Sequence, residues 1–247
     1  MNILAIDIGN TRVKWGYSEA GGWLRQGWMA TARAGELTGE FTALPEAQRT
    51  VISNVAGAAT RVQVAAALNA AAPQPLWITS TAAQCGVSSG YAEPETLGPD
   101  RWAALIGAWH LTQAACVVVN VGTTMTVDAL SAEGVFLGGC IVPGATLMRD
   151  ALARDTANLA ARDGAFSYFP DNTGDAIFSG AVNALAGAVE RVLRYLEESA
   201  GVLPPVLLSG GGAALIEKRL TAAVTVVDNL VLEGLLQIAL QPEMSPR

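Results

Sequence analysis

Apolar and polar positions along the chain predict two strand–loop–strand units of one design. Ile3-Leu4-Ala5-Ile6 is a short apolar run that reads as a buried strand. In Arg12-Val13-Lys14-Trp15-Gly16-Tyr17, the residues Val13, Trp15 and Tyr17 alternate with polar or small neighbours, the period of a half-buried strand. Asp7-Ile8-Gly9-Asn10-Thr11 therefore occupies a turn between two strands. Further on, Cys116-Val117-Val118-Val119 is again a buried run, followed by Asn120-Val121-Gly122-Thr123-Thr124 and an alternating strand through Asp128. Asp7 matches Asn120 and Gly9 matches Gly122, which predicts duplicated halves.

Other segments fill in an α/β layer. Val51-Ile52-Ser53-Asn54-Val55 reads as a strand leading to a turn at Gly57. Residues 61–72 predict an Ala-rich helix, packed through Val62, Val64 and Leu68 and stopped by Pro73. Leu76-Trp77-Ile78-Thr79 is the next strand, and the order strand, helix, strand implies parallel pairing. Trp102, Leu105, Ile106 and Trp109 recur at helical spacing. Residues 173–199 predict one long helix and residues 230–240 a closing amphipathic one. Gly138-Gly139-Cys140-Ile141-Val142-Pro143-Gly144 reads as a strand end that permits close backbone approach. Val206-Leu207-Leu208 runs into Ser209-Gly210-Gly211-Gly212 and a helix from Ala213, which suits packing against a nucleotide's sugar or base as well as it suits a plain turn. Residues 19–50 predict only strands and exposed connections. No low-complexity linker is visible, so a central connection near residues 111–116 divides the chain into 1–115 and 116–247.

Composition narrows the function. The 247 residues are 51% hydrophobic and 15% charged, which describes a folded chain with a substantial core. A net charge of -7 and a pI near 4.7 argue against a broad nucleic-acid or anionic-membrane surface. Cys85, Cys116 and Cys140 are an odd number without paired spacing, which predicts reduced thiols in the cytoplasm. The opening residues reach Asp7 too soon for a signal peptide, and no apolar stretch reads as a membrane span. His110 is the single histidine and reads as structural, so Ser-His-Asp, Cys-His and His-rich zinc chemistry have little material. Acid–base work falls mainly to carboxylates.

Two places carry candidate chemistry. In Asp7-Ile8-Gly9-Asn10-Thr11, Gly9 allows close backbone approach, and successive N–H groups can form an anion-binding concavity. Asp7 would repel a bare phosphate, so a Mg²⁺ between them is the natural mediator. An ordinary hairpin turn would use the same residue types. In Tyr91-Ala92-Glu93-Pro94-Glu95-Thr96-Leu97-Gly98-Pro99-Asp100-Arg101-Trp102, a proline-bearing loop ends just before a helix. Asp100 stands where an N-cap would, which accounts for it by itself. Arg101 beside it can grip a carboxylate in two-pronged fashion.

Taken together, the chain resembles the type III pantothenate kinases of the actin-like ATPase and sugar-kinase superfamily. The resemblance rests on Asp-Ile-Gly-Asn-Thr at 7–11, Gly-Pro-Asp-Arg at 98–101, Val-Gly-Thr-Thr at 121–124 with Asp128, Gly-Gly-Cys-Ile-Val-Pro-Gly at 138–144, and Asn-Thr at 172–173 before Ala176-Ile177. It implies two duplicated ribonuclease H-like domains, each a mixed sheet flanked by helices. It implies ATP-dependent phosphorylation of pantothenate, with Asp7, Ile8, Gly9, Asn10, Thr11, Arg12, Val13 and Lys14 as the first phosphate loop and Thr123 in the second. Asp100 would be the catalytic base, and Tyr91, Gly98, Pro99, Asp100, Arg101 and Thr173 would line the pantothenate pocket. Mg²⁺ would act near Asp7 without direct ligation. The family's dimeric habit implies a homodimer in which the neighbouring subunit helps bind pantothenate. One position departs from the pattern: Asn120 stands where the family carries an aspartate associated with a K⁺ or NH₄⁺ ion, which implies a weaker cation site. Two other functions share the fold: phosphotransfer or hydrolysis on another small molecule, and a non-catalytic nucleotide-binding regulator.

Overall fold

The computed structural model describes residues 1–68, 74–159 and 163–241. Strand β1 (Asn2–Ile8) turns through residues 9–11 into the antiparallel β2 (Arg12–Glu19), and β3 (Gly22–Ala30) continues the meander. β4 (Arg49–Asn54) returns parallel to β1, and β5 (Leu76–Trp77) lies parallel to β4. The strand order is β3-β2-β1-β4-β5. β1 is central and buried from Ile3 to Ile8, whereas β2 shows the expected burial of Val13, Trp15 and Tyr17. Between β3 and β4 lie a 3₁₀ segment (Thr31–Leu37) and the short α1 (Thr38–Thr42).

The same plan recurs in the second half. β8 (Cys116–Val121), β9 (Thr124–Leu130) and β10 (Val135–Pro143) form an antiparallel meander, and β11 (Val206–Ser209) and β12 (Val224–Val226) add in parallel beyond β8. The order there is β10-β9-β8-β11-β12, strand for strand the order of the first half. The predicted duplication is thus a duplication of topology and of strand polarity.

Several helices differ from expectation. α2 (Gly57–Leu68) starts earlier than predicted, and Val62 is exposed while Val64 and Leu68 are buried; the predicted end at residue 72 and stop at Pro73 lie outside the described residues. After the hairpin β6 (Ala83–Gln84) and β7 (Val87–Ser89) comes α3 (Pro99–Thr112), buried nearly all round rather than along a stripe. α4 (Ala145–Asp155) precedes α5 (Thr173–Ala200). Asn172 caps α5, its side chain accepting the Asp175 N–H at 3.0 Å, and Gly201 ends the helix in the left-handed conformation. By length and composition α5 could cross a membrane, contrary to expectation, but its Leu185, Val189, Leu193 and Leu196 lie in the core of the second half. α6 (Ala213–Ile216) is a single turn.

The chain divides into two units, Met1–Gln113 with the helix from Leu230 onward, and Ala114–Asn229. A division of 116–247 as one half is therefore corrected: α7 (Leu230–Leu240) belongs with the first unit. Glycines explain why. A Cβ on Gly234 would overlap the Ala103 carbonyl of α3, and one on Gly107 would overlap the Leu230 carbonyl, so α3 and α7 pack backbone to backbone. Trp23 Nε1 donates to Glu233 at 2.6 Å, and Arg49 Nη1 donates to the Ala239 and Gln241 carbonyls at 2.7 and 2.6 Å, capping the last turn. α7 is buried on nearly every side, so the amphipathic reading fails for the reason that it sits inside a core.

Candidate active site

In the first unit a row of four facing residues crosses the sheet at the level of Asp7. Asp7 on β1 faces Lys14 on β2 and Ser53 on β4, and Lys14 in turn faces Trp28 on β3. Residues directly opposite share a face, so the row runs from the fully buried Ser53 to the exposed Trp28. Asp7 is only 7% exposed, and its Oδ1 has no hydrogen-bond partner. Burial pushes its carboxyl up to about 7, the nearby Asp100 charge pushes the same way, and Lys14 opposes both. A buried carboxylate oxygen without a donor suits a cation. Among the described residues no group of three or more His, Cys, Asp or Glu could hold a metal ion, so a divalent cation here needs ligand oxygens as well.

The loop after Asp7 is held from within and from outside. The Gly9 N–H donates to the Arg12 carbonyl at 3.0 Å, and a Cβ on Gly9 would stand 3.1 Å from that oxygen. Thr31 donates its hydroxyl to the Gly9 carbonyl at 2.7 Å and its N–H to the Thr11 carbonyl at 2.9 Å. Asn10, Thr11 and Arg12 are exposed, and the Arg12 guanidinium stacks 4.3 Å from the Trp28 ring centre.

Asp100 sits at the second position of α3, not at its cap: Gly98 is the N-cap residue and Pro99 opens the helix. The cap reading is thereby corrected, because Pro99 opens the helix two residues before the start that an Asp100 cap would give. Asp100 Oδ1 accepts the Arg101 N–H at 2.9 Å. Burial raises its carboxyl above the usual range, partly countered by that N–H and by the Arg101 charge. Arg101 is 7% exposed and donates from Nη1 to the Tyr91 hydroxyl at 3.4 Å, with its guanidinium 6.0 Å from that ring centre. Tyr91, Gly98, Pro99, Asp100 and Arg101 thus gather at the start of α3, in the same unit as the loop Asp7–Lys14.

The remaining candidates belong to the second unit. Asn120 faces Ser209 across β8 and β11, as Asp7 faces Ser53. Its Oδ1 lies 2.7 Å from where a Cβ on Gly210 would stand, and Gly210 has φ +96°, so glycine is required there on both counts. Thr126 faces Asn120 where Lys14 faces Asp7, so the second hairpin lacks the lysine. Thr123 is exposed at the tip, and its carbonyl accepts the Gly144 N–H at 2.9 Å, a close approach that the Gly138–Gly144 stretch was expected to allow. Thr173 is exposed in the first turn of α5. Behind it, Asp175 is held below the usual carboxylate range by the Ala165 N–H and then by Asn172.

Outside these positions, His110 is exposed in the last turn of α3, and Cys85, Cys116 and Cys140 form no disulfide, with Cys116 buried. Sequence reasoning missed Thr31, Ser53 and Trp28. Ser53 was signalled by its strand facing the motif, but Thr31 is reached only through the fold.

Duplicated sheets of this topology, with a glycine turn after each first strand, are those of the actin-like ATPase fold, which does not by itself choose a reaction. A profile of the type III pantothenate kinases matches residues 3–195. The type III pantothenate kinase of Nitrosospira multiformis is 48% identical over 237 residues, covering 96% of this chain and 90% of that protein, and that of Dechloromonas aromatica is 42% identical, covering 97% and 99%. The chain belongs to the type III pantothenate kinase family. Among solved structures, a Baf family protein of Campylobacter jejuni superposes with a TM-score of 0.60 at 19% identity, covering 95% of this chain and 96% of that one. The ethanolamine utilization protein EutJ of Carboxydothermus hydrogenoformans superposes at 0.58 with 14% identity, covering 97% and 89%. At these identities they establish the fold.

Proposed function

We propose that Asp100 is the general base, and the Asp7–Lys14 loop the phosphate site, of an ATP-dependent pantothenate kinase. The reaction of the family is phosphorylation of pantothenate to 4′-phosphopantothenate, the first step of coenzyme A biosynthesis. The observation that carries the assignment of roles is a pair of carboxylates in one unit, Asp7 buried on β1 and Asp100 part-buried at the start of α3, near enough that the Asp100 charge acts on Asp7. Asp100 stands next to the buried Arg101, which suits the carboxylate end of pantothenate. The primary hydroxyl of pantothenate is a weak nucleophile. As its oxygen bonds to the γ-phosphorus, the bond from that phosphorus to the β–γ bridging oxygen breaks, ADP leaves, and the hydroxyl proton passes to Asp100. General-base help of this sort is worth about 10²–10⁴-fold. Tyr91, Gly98 and Pro99 complete the acceptor side of the site in the first unit; the family resemblance assigns Thr173 to pantothenate and Thr123 to ATP.

A divalent cation bound with ATP neutralises charge on the transferring phosphoryl group. Asp7, whose buried Oδ1 has no donor, would hold such a cation without ligating it directly. Asn120 would offer only a neutral amide oxygen to a monovalent cation, so K⁺ or NH₄⁺ would bind weakly there. The chain works as a homodimer in the cytoplasm. Leu147 and Leu152 on α4, Tyr168 and Phe169 before α5, and Tyr195 on α5 are exposed apolar side chains that support an interface between copies. Transfer of labelled γ-phosphate from ATP, offered pantothenate, sugars and polyphosphate in parallel, tests the assignment: label should appear on pantothenate alone.

A further inference from the structure

We propose that Thr31 is a positioning residue for nucleotide binding: it turns two carbonyls of the first phosphate loop away from the ligand and so presents the loop's N–H groups to the phosphates of ATP. The inference rests on the reading of Asp7–Lys14 as the phosphate loop and adds a residue from outside it. Thr31 lies 22 residues beyond Gly9, yet its hydroxyl and its N–H hold the carbonyls of Gly9 and Thr11 at 2.7 and 2.9 Å. In a planar trans peptide, the C=O and the N–H of the next residue point in opposite directions. With the Gly9 and Thr11 carbonyls fixed toward Thr31, the N–H groups of Asn10 and Arg12 face the other way. Successive N–H groups on one side of a turn make an anion site, whereas a carbonyl turned to that side would repel phosphate. Thr31 itself is firmly seated. It is 9% exposed and opens a 3₁₀ segment whose Ala34 and Leu37 are fully buried in the core of the first unit. The loop is therefore referenced to the core and not only to its own hairpin.

The distinction between hydroxyl and packing is testable, because valine keeps the shape of threonine and serine keeps its hydroxyl. Thr31→Val, Thr31→Ser and Lys14→Met are compared with the unaltered protein for KM of ATP, KM of pantothenate and melting temperature. Thr31→Val should raise the KM for ATP about three- to tenfold, the worth of one neutral hydrogen bond, and leave that for pantothenate within about twofold. Thr31→Ser should restore ATP binding. If Thr31→Val does not fold, Thr31→Ala is read in its place against Thr31→Ser. An unchanged KM for ATP in Thr31→Val, or a Thr31→Ser variant as impaired as Thr31→Val, overturns the inference. Lys14→Met separates the two levels. If it raises the KM for ATP while Thr31→Val does not, only the role of Thr31 falls; if neither does, the phosphate-loop reading falls with it.

Discussion

A Cβ placed on Gly98 would stand 2.6 Å from Oδ1 of Asp100. Gly98 has φ −56°, an ordinary value, so the backbone does not demand glycine there; the carboxylate does. Gly98→Ala should therefore displace Asp100 and lower kcat by about tenfold or more, since small misplacements of a catalytic group are costly. Its melting temperature should stay within a few degrees of the parent. Full turnover in a folded Gly98→Ala variant would show that the carboxylate has room to spare.

Arg101→Ala should raise the KM for pantothenate about 10- to 100-fold, as expected for a lost charge-assisted bond, and the KM for ATP far less. Pantothenol, which lacks the carboxylate, should tell the two enzymes apart poorly. Because Arg101 is buried against Tyr91, the variant will also lose some stability. Equal damage with both acceptors would assign Arg101 to packing or to phosphate.

Asp7 makes the metal-free protein sensitive to pH. Its folded carboxyl titrates at about 7, against about 3.9 for an unfolded aspartate. Between those values the folded state binds more protons than the unfolded one, so stability falls as pH rises through that window. In EDTA, melting temperatures followed from about pH 5 to pH 8 should decline more steeply for the parent than for Asp7→Asn. The variant should be inactive yet more stable at the upper end. Parallel curves would mean that Asp7 is better solvated than its burial implies.

Asn120 holds the place that Asp7 holds in the other hairpin, without the charge. Less attraction holds a cation there, and less repulsion toward ATP needs cancelling. Initial rates across a K⁺ series at fixed ionic strength should depend weakly on K⁺ in the parent and more steeply in Asn120→Asp. An enzyme inert without K⁺, with the same curve in Asn120→Asp, would leave the amide a bystander.

The hairpins were legible because period-2 burial and a glycine turn are local signals. The same holds for the parallel return of β4 and β5, and for α5, whose apolar i+4 spacing matches its buried face. What escaped was tertiary. Nothing near Leu230 says that α7 packs on α3 through Gly107 and Gly234, contacts made across more than a hundred residues. Nothing near Thr31 announces that it ties down Gly9. Asp100 looked like a cap because Asp is a good one, and the Pro99 that displaces it from that position is equally at home in a loop or a first turn. The two carboxylates stood out by residue type, whereas the raised titration of Asp7 depends on burial that only the sheet supplies.

The central claim is that Asp100 takes the proton from the pantothenate hydroxyl. Its most direct test is kcat for ³²P transfer from ATP to pantothenate in Asp100→Asn, with ATP affinity and melting temperature measured on the same preparation. The account predicts intact folding and ATP binding with turnover lowered by about two orders of magnitude or more. Turnover close to that of the parent in folded, ATP-binding Asp100→Asn protein would contradict it.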